Sequence, residues 1–158
     1  MNLIEKPTLS QEQVCSLQDH ISKGALPPVE LTYEHHFASG VYGRIMKAPA
    51  GTVVVGKPHR TEHLCVLLKG ALIVTKDDGS LVEMRAPAVF VAQAGQKKAA
   101  LVTEDLEFMN VHAVETTDLD EIEKQVIIPE EEFRQMLINT STVVERLKEA
   151  AMDIAVQS

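Results

Sequence analysis

The residues best equipped for chemistry sit in one short run, Gly56-Lys57-Pro58-His59-Arg60-Thr61-Glu62-His63, directly before the apolar stretch Leu64-Cys65-Val66-Leu67-Leu68. Two imidazoles and a carboxylate ahead of a buried strand suit either a transition-metal centre or acid–base work. The order His, two residues, Glu, His also occurs in zinc peptidases, where a helix brings positions four apart onto one face. Pro58, the β-prone surroundings and the glycines at either end oppose a helix here. On a straight strand His59 and His63 would stand roughly 13 Å apart, too far to share an ion about 2 Å from each nitrogen. Co-ligation therefore requires Arg60, Thr61 and Glu62 to form a corner, with His59 ending one strand and His63 starting the next. A third imidazole is available at His112, because residues 106–114 read as a long strand whose alternate positions Phe108, Asn110 and His112 share a face.

These residues need a scaffold that can aim them inward. Ser10 and Gln13 have the form of a capping box, and Val14, Leu17 and Ile21 follow at helical spacing, which predicts a helix over about 11–23 that stops at Gly24. From Val29 the pattern turns to β-prone stretches at 41–46, 52–55, 64–75, 81–84, 88–91, 99–102 and 106–114, punctuated by Pro49, Gly51, Asp78-Gly79, Pro87 and Gly95. So many short strands imply a closed or stacked antiparallel sheet. Beyond Glu115 the character becomes helical. Phe133, Leu137, Thr140, Val144, Leu147, Ala151 and Ile154 form a stripe stepping by three and four, which suits packing on the chain's own β domain or on a partner helix. Thr142 and Glu145 could form a second capping box and divide this tail near 139–141. The expected organisation is a helical arm over 1–28, a β-barrel over 29–115 and a helical tail over 116–158.

Composition bounds the partners. The chain has 158 residues, enough for one well-packed domain, and 45% of them are hydrophobic. With no Trp, 4% aromatic residues and a formal charge of -8, it is a poor fit to nucleic acid, which rewards positive charge and stacking surfaces. Cys15 and Cys65 have no metal-ligand spacing and read as reduced core thiols. No secretion signal and no apolar run of membrane-spanning length is visible, so a cytoplasmic location and no membrane partner are expected.

Gly51, His59, His63 and Gly70 fall at the spacing of the first cupin motif, and Gln93, Gly95 and Lys98 align with the second. The chain resembles the cupin superfamily, which implies a double-stranded β-helix, the jelly-roll barrel of an all-β class, here carrying an N-terminal helix and a C-terminal helical tail. The match also places Lys57, His63 and Lys98 where the family's other metal ligands stand, so the standard site looks rebuilt or lost. The resemblance is closer still to small cupin-domain proteins of tailed bacteriophages and prophages. It covers roughly 35–128 and rests on residues 36–44 (His-Phe-Ala-Ser-Gly-Val-Tyr-Gly-Arg), Pro49-Ala50-Gly51-Thr52, residues 59–64, Asp78-Gly79, Ala86-Pro87, residues 95–98 and residues 111–119.

Taken together, these observations predict a small-molecule-binding barrel with a histidine-rich site, which holds a divalent transition metal if His59, His63 and His112 converge and otherwise, with Lys57 and Lys98 pointing inward, holds an anion without metal. Glu62 is then a fourth ligand, an orienter or a catalytic base, and Lys57, Lys98, Tyr42 and Arg44 are ligand-binding groups suited to an anion. A metalloenzyme of isomerase, lyase or dioxygenase type is one alternative. Another is a structural or assembly protein of a phage-like particle that uses the barrel as scaffold. A homodimer or larger homo-oligomer is expected under each, because bare sheet edges invite pairing.

Overall fold

The computed structural model describes residues 8–157, which form two compact units, 8–128 and 129–157. In the first unit, α1 (Gln11–Ser22) precedes seven strands: β1 (Thr32–Ala38), β2 (Val41–Ala48), β3 (Val53–Val55), β4 (His63–Thr75), β5 (Leu81–Arg85), β6 (Ala88–Ala92) and β7 (Ala99–His112). A short helix, α2 (Leu119–Val126), follows, and α3 (Glu130–Gln157) makes up the second unit. About a third of the chain is helical, so "all-β" describes the barrel and not the molecule.

Every strand pairing is antiparallel. The two longest strands, β4 and β7, run side by side and each changes its other neighbour halfway. β4 pairs with β6 through His63–Leu67 and with β5 through Ala71–Thr75, while β7 pairs first with β3 and then with β2. The exchange occurs where the β4–β7 register slips on either side of Gly70. Gly70 has φ +84°, and a Cβ there would lie 2.1 Å from the carbonyl oxygen of Asp105. Only glycine permits this approach. The resulting curl encloses a core of Ala48, Leu67, Leu72, Val74, Val102 and Leu106.

The expected capping box is present: Ser10 N donates to Gln13 Oε1 at 2.8 Å and Gln13 N to Ser10 Oγ at 3.1 Å. Three expectations need correction. β1 lies on the sheet edge with all seven residues exposed, so its sequence shows no alternation that would mark it as a strand. The segments expected at 99–102 and 106–114 are joined in one strand, β7, which carries the bulge and ends at His112, with 113–114 beyond it. The tail helix is unbroken, because the Thr140 and Thr142 hydroxyls donate to the carbonyls of Met136 and Ile138 one turn back, which commits Thr142 to the helix interior. The segment after the last strand also belongs with the barrel unit: Ile122 and Val126 of α2 pack with Tyr42 and Val114 in a second small core. No described helix is long and apolar enough to cross a membrane.

Candidate functional site

The register of three strands writes a polarity gradient along the barrel interior. Tyr42 pairs with His112, Arg44 with Asn110, Met46 with Phe108 and Ala48 with Leu106. On the other side of β7, Cys65 pairs with Asn110 and Leu67 with Phe108, and His63 lies one step further out on the same face of β4. Alternate strand residues share a face at about 6.8 Å per step. The barrel is therefore lined in tiers, with His63, His112 and Tyr42 outermost, then Cys65, Asn110 and Arg44, then Leu67, Phe108 and Met46.

The corner that brings His59 to this outer tier is pinned from two directions. His59 forms an isolated bridge with Ile127, flanked by Ile128 N to Pro58 O at 2.9 Å and Arg60 N to Val126 O at 2.8 Å. From the opposite side, Gly95 N donates to His59 O at 2.8 Å. The chain reverses as expected, and the ring centroids lie 4.1 Å apart for His59 and His63, 4.6 Å for His63 and His112, and 5.1 Å for His59 and His112. One nitrogen from each ring lies within 4.8 Å of the others. Tetrahedral ligands about 2.1 Å from one ion stand roughly 3.4 Å apart, so small ring rotations would complete a site.

The hydrogen bonding of the cluster fits that use. His63 Nε2 donates to Asn110 Oδ1 at 3.0 Å, which leaves the lone pair on Nδ1, and the Nδ1 atoms of His63 and His112 are both buried without a hydrogen-bond partner. A buried, unmatched ring nitrogen is costly unless something else engages it. The electrostatics agree. Burial, followed by the charges of His63, His112 and Arg44, pushes His59 down to about 3. Burial, followed by His63 and Arg44, pushes His112 down to about 4. Burial also holds His63 below the usual histidine value, against the opposing pull of Asn110 and the Thr61 backbone. All three rings are thus neutral near pH 7, the form in which imidazole binds zinc, copper, iron or nickel.

A pH dependence follows. Both His59 and His112 bind protons more weakly in the fold than at the unfolded value of 6.5, so their contribution to stability is complete above that pH. It is lost progressively as pH falls toward about 4 and 3 respectively. Between pH 7 and 5, before most carboxylates titrate, the metal-free protein is expected to lose roughly 1–2 kcal/mol per ring. Urea unfolding at the two pH values measures this, and equal stabilities would mean that the rings are not held neutral by burial.

Two cavities meet at the cluster. An inner chamber of about 130 Å³ lies inside the barrel, bordered at its polar end by Arg44, His59, His63 and Asn110 and walled by residues such as Met46, Leu72, Phe90 and Phe108. An outer cavity of about 210 Å³ lies beneath α2, bordered by Tyr42, Arg44, His59, His112, Ile122 and Glu123.

The other expected site residues divide. Tyr42 is buried in the outer tier, and its hydroxyl shares a 2.6 Å hydrogen bond with His35 Nδ1. Arg44 borders both cavities with its Nε buried and unpartnered, its guanidinium 5.2 Å from the centre of the Tyr33 ring. Lys57 lies at the shared rim, but its ammonium is paired with Glu123 of α2. Lys98 borders the inner chamber while its ammonium bonds Asp77 Oδ1 at 3.1 Å on the β4–β5 hairpin. Glu62 is exposed and borders neither cavity, because strand alternation sends the neighbour of inward-facing His63 the other way. Sequence reasoning assigned no site role to Asn110, Glu123 or His35. Asn110 was detectable as an inward residue two positions before His112, whereas Glu123 and His35 reach the site only through α2 and the edge strand β1.

No family model matches the chain, and no curated protein matches it. Similar solved structures include KdgF from Halomonas sp., with 17% identity, 61% of this chain and 90% of that one covered, and a TM-score of 0.48. A double-stranded β-helix protein from Klebsiella pneumoniae has 16% identity, coverages of 59% and 86%, and a TM-score of 0.48. A cupin superfamily protein from Desulfitobacterium hafniense has 13% identity, coverages of 56% and 82%, and a TM-score of 0.46.

Proposed function

We propose that this protein is a small-molecule-binding barrel whose ligand is held at a divalent transition-metal centre of His59, His63 and His112. The observation that carries this reading is the convergence of three neutral imidazoles around buried, unpartnered ring nitrogens at the junction of two cavities. When bound, such an ion supplies Lewis-acid polarisation of a ligand oxygen and coordination positions beyond the three histidines. The chain's own residues do the rest. Asn110 fixes the proton on His63 Nε2 and so orients that ring, burial keeps His59 and His112 unprotonated, and α2 walls one side of the outer cavity. Isomerase, lyase or dioxygenase-type turnover would also need a proton-transfer group. Tyr42, hydrogen-bonded to His35 and bordering the outer cavity, is better placed for that than Glu62.

Elemental analysis of protein purified without a histidine tag, before and after addition of zinc, iron, nickel or manganese, tests the centre. One ion per chain is expected, and a chain that takes up none of the four contradicts it.

The assembly reading draws on α3. Its apolar stripe continues through Val144, Leu147 and Ile154, and the last two are 66% and 70% exposed. A 28-residue helix is about 42 Å long, and a stripe of this spacing suits a second copy of the same helix. Sedimentation of the full chain is expected to give an oligomer that removal of residues 130–158 reduces, with metal content unchanged. A full chain that sediments as a monomer would remove this role.

A further inference from the structure

The chemistry of the two cavities narrows the ligand class, an inference that rests on the histidine-centred reading above. Three cationic side chains border the inner chamber, Arg44, Lys57 and Lys98. The two lysines already have carboxylate partners, Glu123 and Asp77. Arg44 makes no salt bridge among the described residues, its Nε is buried and unpartnered, and Tyr33 stacks against its guanidinium. A guanidinium with no direct salt-bridge partner at the junction of two cavities, which feels Glu123 only through space, can take a ligand carboxylate and grip it with two parallel hydrogen bonds.

One tier further in, the lining changes character. Met46 and Phe108 follow Arg44 and Asn110 on the same inward faces, about 6.8 Å deeper, and Leu72 and Phe90 complete the walls. Sugar hydroxyls or a phosphate ester would set most of their polar atoms against these apolar walls, where Gln93, Gln96 and the already paired Lys98 are the polar side chains at hand, and would lose much of their hydration. An apolar group fits, and the chamber of about 130 Å³ is close to the roughly 150 Å³ of an engineered apolar cavity that admits benzene.

We propose that the site takes a small monocarboxylic acid bearing one apolar group no larger than a phenyl ring, with the carboxylate between Arg44 and the three histidines and the apolar group in the chamber walled by Met46 and Phe108. The stacking of polar tiers over apolar ones sets the orientation, so a ligand lacking either end forfeits part of its affinity.

Calorimetric titration of the zinc-loaded full chain with benzoate, 3-methylbutanoate, acetate, glycerate and benzyl alcohol tests this. Benzoate and 3-methylbutanoate are expected to bind at least tenfold tighter than acetate or glycerate, and benzoate at least tenfold tighter than benzyl alcohol. Arg44→Met should abolish the preference for benzoate over benzyl alcohol. Ala100→Leu, which grows a side chain from the chamber wall, should bring benzoate to the level of acetate. If Ala100→Leu fails to fold, the unmodified chain decides alone, because equal affinities for benzoate and acetate, or for benzoate and benzyl alcohol, overturn the proposal. A chain that takes up no zinc overturns the metal reading instead. Arg44 then remains the carboxylate's partner, so the same series run on the metal-free chain must still rank benzoate above both acetate and benzyl alcohol, and failure to do so overturns the proposal there too.

Discussion

A His59→Ala, His63→Ala double variant is expected to bind no transition metal under conditions in which the unmodified chain binds one ion. Two of three imidazoles disappear, and His112 alone offers a single ligand atom, far short of what holds a divalent ion against water. The variant should fold, because it removes two rings that make few polar contacts, chiefly that of His63 with Asn110, and that carry a desolvation cost. Asn110→Leu supplies an intermediate case. Without its carbonyl, His63 loses the acceptor that fixes its tautomer, and loss of such a supporting partner usually costs 10- to 100-fold in metal affinity. Competition against a coloured chelator should therefore rank unmodified chain, Asn110→Leu and double variant in that order. Retention of full affinity by the double variant would place the metal elsewhere and dissolve the proposed centre.

Gly70→Ala is expected to be the most damaging single methyl added to this chain. Its backbone sits at φ +84°, which costs an L-residue roughly 1–2 kcal/mol, and the new Cβ would meet the Asp105 carbonyl at 2.1 Å and that of Glu104 at 2.8 Å. These are backbone atoms of the strand to which β4 is paired, so relief requires β4 and β7 to separate where both exchange neighbours. A loss of at least about 3 kcal/mol is expected, a large share of the stability of any single domain. Gly51→Ala isolates the conformational part, since φ is +90° there with nothing within 4 Å of the added atom, and should cost only about 1–2 kcal/mol. Urea unfolding of both variants measures the difference. Similar losses would mean that the strands yield easily at the bulge.

Much of the centre was legible because its chemistry is local. Pro58 and the β-prone surroundings opposed a helix, shared ligation by His59 and His63 then required a corner between them, and strand alternation alone put His112 on the same face as Phe108 and Asn110. The partners of the cations were not legible. Lys57 meets Glu123 across sixty-six positions and Lys98 meets Asp77 across twenty-one, and nothing in a linear reading distinguishes these acids from their neighbours. Glu62 misled for the opposite reason: adjacency to His63 suggests proximity, whereas consecutive residues entering a strand face apart. The region beyond Glu115 read as helical, but the eight residues of α2, with two buried apolar side chains, do not announce which surface they cover.

The bridge between His59 and Ile127 has a practical bearing on where this domain can be cut. A fragment ending after the last strand, near residue 115, would retain all seven strands and their register. It would also lose the two backbone hydrogen bonds from 126–128 that hold the Pro58–Arg60 stretch, and with them the anchorage of one imidazole. The smallest transplantable version of the centre therefore extends to Ile128, and grafts of the sheet alone should inherit the container without its grip.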